Sequence, residues 1–133
     1  MTGCKHQSEK AQVMNLCQKG KRAEDLAARY LLSRGYRIWK INWRSGHREL
    51  DLIALTGGEL VVVEVKAREK NAVNDPWRVV NGAKQRNIIL AAEAFIRRYR
   101  WKGPTRFDVI AVVYGNGGVE MEHIAGAFVP GAE

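Results

Sequence analysis

The chain has 133 residues, 46% of them hydrophobic and 27% charged, with a formal net charge of +8. That length suits a single domain able to bury a core without staples, and no apolar run approaches the roughly 20 residues of a membrane-spanning helix. Cys4 and Cys17 stand in no metal-ligand spacing, and residues 1–10 lack the apolar stretch of a secretory leader. Reduced thiols and a cytoplasmic setting are therefore expected.

Residues 1–18 show no clear periodicity and read as a flexible N-terminal extension, with residues 19–133 as one domain. From Lys19 the pattern turns helical, since Ala23, Leu26, Ala27, Tyr30 and Leu31 recur at three- and four-residue steps. Gly35 stops this helix. Glu24 borders the apolar stripe, placed either to reach inward or simply to meet the helix dipole. Tyr36 to Trp43 reads as a strand, and residues 44–48 as a turn.

A hairpin follows, from Glu49 to Leu55 and from Leu60 to Lys66, around Gly57-Gly58. If those glycines are the loop, Thr56 faces Glu59, and the same register sets Asp51 opposite Glu64 and Glu49 opposite Lys66. All four side chains would then share one face, and a bulge near Asp51 would shift that facing by a residue. Ala67 to Asn74 reads as a mobile polar loop, and Asp75-Pro76 as a helix start. A stronger helix covers about 83–100, with Ile88, Ala91, Ala92, Phe95, Ile96 and Tyr99 as its buried stripe and Lys84 at its edge. Its basic end suits the helix dipole. Arg106 to Tyr114 reads as a buried interior strand, Val119 to Ile124 as a last short strand, and residues 125–133 as irregular. The sum is an α/β fold, one mixed sheet flanked by helices.

Two carboxylates facing each other across a ladder repel unless a cation lies between them. Asp51 and Glu64 thus suggest a hard divalent metal such as Mg²⁺, which takes carboxylate oxygens and shares them with phosphate. Lys66, two residues after Glu64, would assist the attacking water or neutralise developing charge. The bland alternative is a solvated charged strand face. His6, His47 and His123 are isolated, and no glycine pattern cradles phosphate, so zinc and nucleotide-loop chemistry are disfavoured. The four tryptophans are better explained as core than as base-stacking platforms. The basic balance suits a polyanion or solubility alone.

Asp51 with Glu64-Val65-Lys66 resembles the PD-(D/E)XK signature of restriction-endonuclease-like folds. More closely, Gly20, Glu24 and Ala27, Asn42 with Arg44, Glu49 to Ile53, Val63 to Lys66 with Arg68, Lys84, Arg106 to Val109, and His123 with Ala127-Phe128 are similar to the bacterial YraN family, related in fold to archaeal Holliday junction resolvases. The resemblance implies an αβββαβ core, Asp51 and Glu64 as metal ligands for Mg²⁺ or Mn²⁺, Lys66 as catalytic lysine, and Glu24 completing the acidic pocket. Glu49 is implied as an accessory carboxylate, with Arg44, Arg68 and Lys84 toward nucleic acid; Arg48, a departure from the family, is expected either to alter the turn before the strand or to add a phosphate contact. Arg48 stands where the family usually has glycine, and Leu50 replaces the proline of the signature. The expectation is a metal-dependent endonuclease, resolvase-like, acting on DNA that includes branched forms. A homodimer would suit a four-way junction. The rivals are a non-catalytic nucleic-acid-binding protein on a nuclease fold and a structural protein.

Overall fold

The computed structural model describes residues 16–71 and 81–131. Helix α1 (Leu16–Ser33) leads into strands β1 (Arg37–Ser45), β2 (Arg48–Thr56) and β3 (Glu59–Glu69). Helix α2 (Gly82–Tyr99) crosses over to β4 (Thr105–Gly115), and β5 (Gly118–Phe128) follows. The five strands lie in the order β1-β2-β3-β4-β5, with only β3 and β4 parallel, because only their connection is a helical crossover. The expected mixed α/β architecture is thus present, consistent with a restriction-endonuclease-like core.

The helices cover opposite faces. Ala23, Ala27 and Leu31 of α1 are buried against Leu52, Val61 and Ile110. Ile88, Ala92 and Phe95 of α2 are buried against Ile53, Val62 and Val109. Both expected stripes are therefore the ones that pack. Trp39 and Trp43 set their rings edge-on to Phe95 at 5.0 and 5.2 Å, so these two indoles serve the core.

Several boundaries move. α1 begins at Leu16 rather than Lys19, and the β1–β2 turn shrinks to Gly46-His47 because Ser45 already pairs with Arg48. β3 runs on through Ala67, Arg68 and Glu69, residues expected in a loop, because β4 supplies parallel partners from Val112 to Tyr114. β5 reaches Phe128 instead of stopping at Ile124, with an irregularity near Asp108 that still lets Phe128 stack on Phe107 at 5.2 Å. Asn81 caps α2, its side chain accepting from the Lys84 N–H. Asp75-Pro76 lies outside the described residues. α2 ends on Arg100 in the left-handed conformation, in line with the expected end near residue 100.

Candidate metal centre

Gly57 and Gly58 both take positive φ, 55° and 79°, and Thr56 pairs with Glu59 as the sequence register requires. The ladder holds that register up to Leu52 opposite Val63 and ends there. Beyond it, the Asp51 carboxylate accepts the Val65 N–H at 2.9 Å through Oδ2, so a side chain takes the place of a strand bond. The facing also changes. Leu50 and Ile53 pack on the α2 side while Leu52 and Ala54 pack on the α1 side, whereas strict alternation would keep Leu50 with Leu52. The expected single face bearing Glu49, Asp51, Glu64 and Lys66 is therefore split. The sheet forks, and Asp51 sits in the fork.

On the α1 side, Glu24, Glu49 and Asp51 each offer a carboxylate oxygen, all within 4.8 Å of one another. Helix α1 presents Glu24 one residue from the buried Ala23, so the apolar stripe itself delivers the carboxylate to the sheet. Burial raises the Glu24 pKa, opposed by a hydrogen bond from the Asn42 side chain and reinforced by the charge of Glu49. Asn42 is one of two non-glycine residues with positive φ, 56°, among the described residues.

On the α2 side, Glu64 is 5% exposed and its Oε2 meets the ammonium groups of both Lys66 and Lys84 at 3.2 Å. By alternation from Leu60 and Val62, Glu64 and Lys66 point at α2, whose first turn supplies Lys84. Burial works against the Lys84 charge, but Glu64, with Asp51 and Lys66, outweighs it and raises its pKa. Asp51 feels both sides. Burial and then the Glu64 charge push its carboxyl up to about 8, with Glu24 adding to this and the Val65 N–H and Lys84 opposing it. Such a site is short of positive charge.

The donor set fits a hard divalent cation: clustered carboxylate oxygens without sulfur or imidazole. The three that cluster are Glu24, Glu49 and Asp51, while Glu64 borders them through its charge on Asp51 and is held by lysines. The other expected contacts are occupied. Arg44 pairs with Glu49 at 3.3 Å, Arg68 with Glu122 at 3.4 Å, and Arg48 donates to Asn87 at 3.4 Å. No role for Asn42 beyond the resemblance was legible in the sequence, because a left-handed residue inside a strand has no periodic signature.

Residues 23–112 match the uncharacterised protein family UPF0102. This chain belongs to that family. It is 41% identical over 111 residues to a UPF0102 protein of Bacteroides fragilis, covering 84% of this chain and 92% of the relative. A Porphyromonas gingivalis UPF0102 protein is 42% identical over 112 residues, covering 83% of each. One from Chlorobium chlorochromatii is 48% identical over 96 residues, covering 72% of this chain and 74% of the relative. The family match agrees with the resemblance stated above. No helix among the described residues is long and apolar enough to cross a membrane.

Proposed function

We propose that this UPF0102 protein is a metal-dependent, resolvase-like endonuclease that hydrolyses DNA phosphodiesters. One observation carries the proposal: three carboxylates gathered at a fork in the sheet, with two lysines on the buried carboxylate beside them. A purely structural cluster would be expected to neutralise its aspartate, yet Asp51 has one backbone N–H and the charge of Lys84 against three carboxylates. A divalent cation held by Glu24, Glu49 and Asp51, with Glu64 alongside, would polarise a phosphoryl oxygen and acidify a bound water.

The protein's own groups do the rest. Glu64 fixes the Lys66 and Lys84 ammonium groups at one edge of the site, where they can meet the negative charge that grows on a phosphate in the transition state. The Val65 N–H fixes the Asp51 rotamer. Asn42 holds Glu24, and Arg44 holds Glu49 until a phosphate competes for it.

Asp51→Asn and Glu24→Gln are each expected to lower Mg²⁺-dependent cleavage of a four-way junction by at least about 100-fold. Neither variant should melt below the parent, and their DNA affinity in chelator should stay close to the parent's. Cleavage that survives in both variants would overturn the assignment. Binding without turnover, under any divalent metal, would leave a nucleic-acid-binding module in its place.

A further inference from the structure

We infer that the C-terminal end of α2 forms a second phosphate-binding surface for duplex DNA, remote from the acidic fork. This rests on the nuclease proposal in taking the polyanion to be DNA. The cations at the fork are engaged: Arg44, Arg68 and Lys84 each pair with a carboxylate. At the other end of α2 the opposite holds. Among the described residues, no ion pair joins Lys40, Arg97, Arg98, Arg100 or Lys102 to an acidic side chain, and Glu93 is the one acidic residue on the helix.

These cations are brought together by two elements. The Lys40 ammonium lies 5.5 Å from the centre of the Tyr99 ring and the Arg98 guanidinium 5.7 Å, so β1 and α2 both place charge on one aromatic platform. Trp39 supports that platform at 5.6 Å. The helix dipole accounts for Arg97 and Arg98 in the last turn, but not for Lys40 on another element. Nor does it explain Arg100, which occupies the left-handed cap position (φ 57°, ψ 42°) where glycine is favoured. Arg100 is also exposed, so its charge is open to solvent and to a bound polyanion.

The spacing suits a duplex. Lys84 and Arg98 lie at opposite ends of the same helix, fourteen positions apart, or roughly 21 Å at 1.5 Å per residue. At 3.4 Å per step that is about 6 base pairs. α2 packs on the same sheet face as Glu64 and Lys66, so a duplex entering at the fork runs along the helix toward this end.

The test is binding of a labelled duplex of roughly 20 base pairs, measured in chelator across a salt series, so that cleavage plays no part. The double variant Arg97→Ala/Arg98→Ala should bind more weakly, with the slope of log K against log salt reduced by about 2. Arg100→Gly should melt at a higher temperature yet bind more weakly, which separates the contact from any folding defect. Unchanged affinity and slope in these variants, with a parent that binds DNA, would overturn this surface alone. A parent that binds no DNA at low salt, or binds anionic vesicles in preference, would overturn both this surface and the nuclease proposal. Loss of cleavage with DNA binding intact bears only on the latter, and the surface then stands on the binding data.

Discussion

Two aspartates on different strands of one sheet meet opposite fates. Asp108 on β4 is fully buried, and it is satisfied on every side. Arg106 donates to it twice, at 2.8 Å from Nε and 2.7 Å from Nη2; the Gly126 N–H donates at 2.9 Å, and His123 Nε2 lies at 2.7 Å. Because an ionised carboxylate only accepts, the network assigns the proton to Nε2, leaving Nδ1 to accept from the Tyr30 hydroxyl at 3.3 Å. Burial opposes the Asp108 charge, but the bonds from Arg106, His123 and Gly126 outweigh it and lower its pKa. Asp51 on β2 is pushed up to about 8 by burial and by Glu64, against one backbone N–H and the more distant charge of Lys84. One aspartate is a tie within the fold, joining β4 to β5 and reaching α1 through His123. The other is an unmet demand for positive charge. Burial alone does not distinguish them; the surrounding donors do.

The largest expected effect tests that contrast through stability. Asp108→Ala leaves Arg106 and His123 without their shared partner and should cost about 3–5 kcal/mol in a denaturant titration. Asp51→Asn keeps an acceptor for the Val65 N–H and removes a crowded charge, so at neutral pH it should be at least as stable as the parent. A comparable loss in both variants would erase the distinction.

Next comes pH, where the two aspartates act with opposite sign. Asp51 has a raised folded-state pKa, so its contribution is full below the ordinary carboxylate value near 4 and is lost as pH rises toward about 8. Asp108 has a lowered one, so its contribution is present above about pH 4 and is lost as pH falls below that. Chelator-treated protein should therefore lose stability between about pH 4 and 8, and Asp51→Asn should flatten that slope. Titration with Mn²⁺ should show affinity rising up to about pH 8, because the ligand must shed its proton. Melting curves across pH and calorimetry check the two halves.

The smallest effect belongs to Asn42. Asn42→Gly keeps the positive φ and deletes the amide that reaches Glu24, so stability should move by less than about 1 kcal/mol while Mn²⁺ affinity falls. An unchanged affinity would show that Glu24 holds its place without the amide.

Much of the framework was legible from local pattern. The 3.6-residue stripes through Ala23, Ala27 and Leu31 and through Ile88, Ala92 and Phe95 dictate which helix faces pack, because a helix has few ways to hide an apolar stripe. The Gly57-Gly58 turn set the β2–β3 register correctly as far as Leu52 and Val63, since both central residues need positive φ. Strand ends were less legible: β3 and β5 continue where their partners do, and a partner is a long-range fact.

For the site, the chain order of Glu24, Glu49, Asp51, Glu64, Lys66 and Lys84 was enough to nominate all six, through residue type and the ordered resemblance. Their grouping was decided only in three dimensions. The sequence by itself determined that carboxylates crowd the far end of one hairpin. The tertiary structure decided that the ladder opens at Asp51, because the Val65 N–H is taken by a side chain and α1 and α2 pull neighbouring residues to opposite faces. That fork sends Glu49 and Asp51 toward Glu24, and leaves Glu64 to the two lysines.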